Sequence, residues 1–153
     1  NTIPEHYMEQ TKTVRGLYEH NPNVTCVSIL PEEAYAIALE MATKLNAAKG
    51  PTAICVPMRG WGACDTRTGW ANNTAGPTWV GDPDKPEWSL RSKRFVEGLQ
   101  EKLDLSKPNV ELLIVDCEMN DPEFADLMSG ILVDMLNGRW EKGQHNSSKG
   151  VVS

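Results

Sequence analysis

Three short apolar runs alternate with helical stretches, and this alternation limits the fold more than any other feature of the chain. The runs are residues 24–30 (VTCVSIL), 52–56 (TAICV) and 110–115 (VELLIV). β-branched and apolar residues dominate each, as expected of strands, and Pro22 and Pro31 bound the first. A run that is apolar throughout, such as residues 52–56, suits a strand covered on both faces, as in a parallel sheet. After the first run, Pro31-Glu32-Glu33 opens a helix, since proline fits the first helical position and acids complement the N-terminal dipole. Ala34, Ile37, Ala38, Met41, Ala42 and Leu45 then recur on one helical face. With so many alanines, that helix is expected to pack closely on a sheet, and Gly50-Pro51 ends it. A second helix resumes near Trp88, with Phe95, Leu99 and Leu103 on its buried face. The third has Asp121 as its N-cap and Pro122 as its first residue. Its apolar side is Phe124, Leu127, Met128, Ile131, Leu132 and Met135, and Gly138 stops it.

This β-α-β-loop-α-β-α order implies right-handed crossovers and an α/β, three-layer, Rossmann-like fold with a parallel sheet. Three strands make a thin sheet, so the domain is expected to be incomplete, completed by upstream sequence or by another chain. Residues 1–140 are read as the C-terminal portion of that domain and 141–153 as a polar, Ser/Lys/Gly-rich tail without order. Residues 4–20 carry a weak helical pattern (Tyr7, Val14, Leu17) and are expected to form a helix or an arm.

At 153 residues, 40% hydrophobic and 24% charged, the chain has the balance of one globular domain. The net charge of −6 excludes nucleic acid and anionic membrane as main partners, because no basic stripe exists to neutralise phosphates. No apolar run approaches the roughly 20 residues of a membrane helix. The first residue is Asn1, with no charged-then-apolar leader, and the chain is read as a fragment or a processed product. Cys26, Cys55, Cys64 and Cys117 lack metal-ligand spacing and are expected to be reduced thiols in a cytoplasmic protein. The sequons at Asn23, Asn72 and Asn146 read as chance matches.

In open α/β sheets ligands bind beyond the carboxyl ends of the strands. Three segments leave those ends here: Pro31-Glu32-Glu33, residues 57–65 and residues 116–121. If the strands run the same way, all three converge on one rim. Arg59-Gly60-Trp61-Gly62 is the sharpest feature, because a guanidinium past a strand end, with glycines admitting close backbone approach, suits a carboxylate or phosphate. The competing reading pairs Arg59 with Asp65 or Asp116 and uses Trp61 to cover the sheet edge. Neither GxGxxG nor GxxxxGK[ST] is present. Asp65, Asp116, Glu118 and Asp121 could gather around Mg²⁺, although Asp121 also serves as a cap and Asp116 as a turn residue. His20 and Asn21 precede the first run, at the opposite end of the expected sheet. The loop from Thr66 to Pro86, with Trp70 and Trp79, is long for such a domain and is read either as a lid or partner surface or as packed down.

Taken in order, several segments resemble one family. They are residues 17–25 (LYEHNPNVT), Pro31-Glu32-Glu33, Lys44-Leu45-Asn46 with Gly50-Pro51, Pro57-Met58-Arg59-Gly60-Trp61 with Asp65, and residues 120–125 (NDPEFA). Together they resemble the C-terminal part of the Tm-one-like ATP-binding domain family, over about residues 14–136. That resemblance implies a two-domain Rossmann-like protein that binds ATP, with this chain the last portion of the second domain. It carries Arg59, Gly60, Asp65, Asn120 and Asp121 over as pocket residues, and His20 and Asn21 more weakly. Glu118 stands where that family has His or Asn, and Gly76-Pro77-Thr78-Trp79 only loosely echoes its Gly-Pro-aromatic run.

The expected function is therefore one wall of a site for a nucleotide or small anion, with ATP and Mg²⁺ as candidate cofactors. Arg59 would hold the anion, Gly60 and Gly62 would admit it to the backbone beside Trp61, and Asp65, Asn120 and Asp121 would orient polar groups or Mg²⁺. The upstream domain of the same protein and further copies of the chain are the expected partners. Two alternatives stand beside this reading: a hydrolase or lyase acting on a small carboxylated or phosphorylated substrate, and an interaction module working through the loop from Thr66 to Pro86.

Overall fold

The computed structural model describes residues 15–62, 65, 67, 74–75 and 79–152. They form an α/β unit, a partial Rossmann-like domain. Its central pair is β3 (Thr52–Pro57) and β5 (Val110–Val115), parallel and in register from Thr52 opposite Val110 to Pro57 opposite Val115. β6 (Val151–Val152) pairs antiparallel with the far side of β5, giving the mixed order β3-β5-β6. Strand alternation splits the core by face. Val56, Val110 and, less deeply, Ile54, Leu112 and Ile114 join the cluster under α1 (Pro31–Leu45) and α2 (Leu90–Lys102). Leu113 and Val115, with Ala53 and Cys55 beside them, pack on the opposite side against Phe124, Leu127 and Ile131 of α3 (Pro122–Leu136).

The first apolar run departs from expectation. Residues 24–27 form β2 (Val24–Val27), which pairs antiparallel with β1 (Leu17–Asn21). With β4 (Thr74–Ala75) they make a second sheet in the order β2-β1-β4. Among the described residues the parallel arrangement is thus confined to β3 and β5. The cause is local: Asn21 Oδ1 accepts the Asn23 amide at 2.9 Å, and the turn folds the chain back before any crossover begins. Of residues 4–20, read as a helix or arm, 17–20 are strand, and those before 15 lie outside the described residues.

From Ser28 the chain runs on to α1. Arg15 grips Glu33 with two hydrogen bonds of 2.7 and 2.6 Å, and Glu33 reaches back to the Leu30 amide at 2.8 Å. The alanines of α1 lie in the core shared with α2 and with Val56 and Val110 of the sheet, and their close approach is to α2. Ala34, Ala38 and Ala42 are fully buried, and a Cβ placed on Gly98 of α2 would stand 2.8 Å from Ala38 Cβ and 2.7 Å from the Tyr35 carbonyl. Ile37 and Met41, expected on the same buried face, are 43% and 38% exposed.

The C-terminal segment is also ordered. It folds through turns, and the Gly143 amide donates to Glu111 Oε1 at 2.8 Å. The Asp116 amide donates to Gly150 O at 2.7 Å, which sets β6 against β5. In place of the disorder expected, the segment is held by backbone pairing, by side-chain hydrogen bonds such as Lys142 Nζ to Lys107 O at 3.1 Å, and by Val151 packed on the core under α3.

Candidate functional site

Equal register makes β3 and β5 end level, so their exit loops leave side by side. The pairing continues beyond the strands: the Met58 amide donates to Val115 O at 2.8 Å, that of Arg59 to Cys117 O at 2.9 Å, and that of Met119 to Gly60 O at 3.0 Å. Gly60 has φ +132°, a conformation that side chains with a Cβ rarely adopt. Two of the three expected segments therefore converge. The third, around Pro31, does not emerge from this sheet.

Arg59 lies on that rim with its side chain 46% exposed. Its Nε donates to Asp116 Oδ1 at 2.9 Å and its Nη2 to Oδ2 at 3.1 Å, a bidentate pairing. Trp88 Nε1 donates to the same Oδ1 at 2.6 Å, and Lys85 Nζ stands 3.7 Å from Oδ2 and 3.7 Å above the Trp88 ring. One carboxylate is thus shared by two hydrogen-bond donors and a neighbouring ammonium. The Arg59 hydrogen bond, helped by that of Trp88, pulls the Asp116 pKa down to about 2 against the opposing effect of burial. Beside this cluster is a cleft of about 270 Å³, bordered by Arg59, Asp116, Asp121, Glu123, Lys149 and Gly150. Lys149 pairs with Glu123 across it.

Asp65 lies away from this rim. It is buried, receives the Ser89 hydroxyl at 2.8 Å and is ion-paired to Arg91 Nη1 at 2.8 Å. Arg91, 1% exposed, also donates from Nε to Ile29 O at 2.5 Å and from Nη2 to Ser28 Oγ at 3.3 Å. Burial pushes the Asp65 carboxyl above its ordinary range, with Arg91 and Ser89 pulling the other way. These contacts lock the glycine loop, the start of α2 and the segment entering α1 together.

The remaining candidates separate. Trp61 donates to Pro57 O at 3.2 Å and packs edge-on to Phe95 at 5.0 Å, against the core under α1 and α2. Gly62 closes a small turn by accepting the Asp65 amide at 2.9 Å. Asp121 occupies the N-cap position of α3, but its side chain turns back to the Glu118 amide at 2.8 Å instead of capping the helix. Asn120 is exposed on the same turn. His20 and Asn21 end β1, in the other sheet. Among the described residues no three His, Cys, Asp or Glu side chains are grouped to hold a metal, so the imagined carboxylate ring of Asp65, Asp116, Glu118 and Asp121 does not assemble. Residues 66, 68–73 and 76–78 of the loop from Thr66 to Pro86, Trp70 among them, lie outside the described residues, as does Cys64.

Sequence reasoning missed Lys85, Trp88, Ser89 and Arg91. Ser89 carries a readable signal, a serine before a helix whose hydroxyl accepts the Ser92 amide. Arg91 carries none, since its burial depends on an aspartate 26 residues earlier. Cys26, Cys55 and Cys117 are free thiols, and burial raises Cys55 to about 12 and Cys117 to about 11. Among the described residues no helix is long and apolar enough to cross a membrane.

Comparison with known proteins identifies the relatives. The model of the uncharacterised protein family UPF0261, C-terminal domain, matches residues 1–136. A UPF0261 protein of Rhizobium meliloti (strain 1021) is 29% identical over 136 residues, covering 89% of this chain and 29% of its own length. One of Clostridium tetani is 29% identical over 135 residues, covering 88% of this chain and 28% of its own. One of Mesorhizobium japonicum is 36% identical over 69 residues, or 45% of this chain and 16% of its own. The chain thus spans less than a third of the length of these curated relatives. These matches correct the resemblance to the Tm-one-like ATP-binding family, because the family matched is another and its description names no nucleotide. The chain belongs to the UPF0261 family, through its C-terminal domain.

Proposed function

We propose that the carboxyl end of the β3/β5 pair is one wall of a small-molecule site that takes a carboxylate or phosphate group, with Arg59 and Lys85 as its cationic side chains. One observation carries this reading: two cations and an indole N–H share the single carboxylate of Asp116 at an exposed rim. Arg59, Lys85 and Asp116 together keep one positive charge, with Asp121 and Glu123 bordering the adjoining cleft, and Asp116 fixes where the guanidinium points, which reduces the ordering cost of binding. Arg59 uses Nε and Nη2 for Asp116, and its Nη1 has no hydrogen-bond partner among the described residues. Gly60 leaves backbone exposed to a ligand, and Asn120 on the adjoining turn is available to orient its polar groups. Asp65 drops out of the direct role, acting instead as the anchor of the loop that carries Arg59.

The test is calorimetric titration of the full-length protein with inorganic phosphate and with malonate. Arg59→Gln and Lys85→Gln should each weaken binding by roughly tenfold or more, the range of one charge-assisted hydrogen bond. No binding by the unsubstituted protein, or affinity unchanged from it in both variants, would remove the rim as an anion site.

A further inference from the structure

The outer edge of β3 has no partner among the described residues. The amides of Thr52 and Met58 donate toward β5, to Asn109 O and Val115 O at 2.8 Å each. By strand alternation the N–H groups of Ala53 and Cys55 therefore point outward, and the next outward position is Pro57, which has no N–H.

Each face of the sheet opens an apolar groove along this same edge. On the α3 side a groove of about 580 Å³ runs between Ala53, Cys55, Met128, Leu132 and Met135. On the α1 side a groove of about 220 Å³ runs between Ile54, Val56, Met41, Trp61 and Phe95. The helices overhang both: Met128 and Leu132 are 45% and 56% exposed, and Ile37 and Met41 little less. Both helices thus carry apolar faces wider than the present sheet covers.

An occupant of both grooves must send side chains to both faces while answering outward N–H groups, which is what a strand does and a helix does not. A second copy pairing through its own β3 would bring its own overhanging α3 to the same face, so the two helices would compete for the larger groove. The curated relatives, by contrast, carry more than two thirds of their length beyond the matched stretch. We infer that the outer edge of β3 receives a further strand, apolar on both faces, supplied by the part of the full-length protein that lies outside this chain.

The experiment uses the full-length protein. In hydrogen exchange the Ala53 and Cys55 amides should exchange on the order of a hundredfold more slowly than unpaired surface amides. Exchange at surface rates would overturn the inference, and this measurement needs no substitution. In parallel, photo-reactive benzoylphenylalanine at Leu132 should cross-link within one polypeptide to a segment outside this chain. Cross-links between two isotopically distinct copies, or to residues 24–30, would overturn it equally, the first in favour of a dimer and the second in favour of a rearranged hairpin.

Discussion

Asp116 accepts from Arg59 and Trp88 and stands beside Lys85, so its carboxylate stays ionised far into acid. Its folded pKa of about 2 lies below the ordinary 3.8 of the unfolded chain. The pairing therefore contributes stability that is fully present above about pH 4 and is lost as pH falls through about 2. At neutral pH Asp116→Asn should lower stability by at most about 2 kcal/mol, trimmed because Arg59 is half exposed. Urea unfolding at a series of pH values should show this gap closing on acidification. A gap unchanged at pH 2 would show that the ion pair is not its source. Arg59 and Asp116 were legible as residues because each leaves the end of an apolar run. Asp65 was singled out for the wrong task, since no local pattern foretells that Arg91 will be buried against it.

At the scale of elements, what could be read was whatever has a local cause. Pro31 with its acids, Asp121-Pro122, and the two apolar runs that became β3 and β5 each hold their own signal. The run at residues 24–30 was misread because its composition suits a buried strand, while the turn at Asn21-Pro22-Asn23 decides its partner. The alanines of α1 were recognised as a close-packing surface and do share a core with the sheet, but composition does not name Gly98 of α2 as the close neighbour. Gly98 tests that contact. By helix propensity alone Gly98→Ala should stabilise α2 by about 1 kcal/mol. The added methyl, however, would lie 2.7 Å from the Tyr35 carbonyl and 2.8 Å from Ala38 Cβ. Overpacking of this kind costs roughly 1–3 kcal/mol, so the net change should be destabilising. Thermal unfolding of Gly98→Ala checks the sign, and a raised midpoint would mean the helices stand further apart than described.

Across the whole molecule, one small sheet carries two different edges, and the C-terminal segment is what closes one of them. β6 answers the outer side of β5, while the outer side of β3 has no partner among the described residues. Residues 137–152 lie beyond the stretch that the family model matches, and they supply this closure. It also builds the rim: Gly150 accepts the Asp116 amide at 2.7 Å and borders the cleft beside Arg59. Gly150 has φ +83°, and a Cβ there would come 3.3 Å from Val115 Cγ1. Gly150→Ala therefore combines left-handed strain of about 1–2 kcal/mol with a tight contact on the strand it must pair. If β6 and the rim are coupled as the geometry requires, the substitution should do two things together. Urea unfolding should show a loss of that order, and the Asp116 amide should exchange faster in the folded protein, because its acceptor has moved. Destabilisation with the Asp116 amide still protected would mean that strain is absorbed elsewhere in the turn, and that the C-terminal segment closes the sheet without shaping the site.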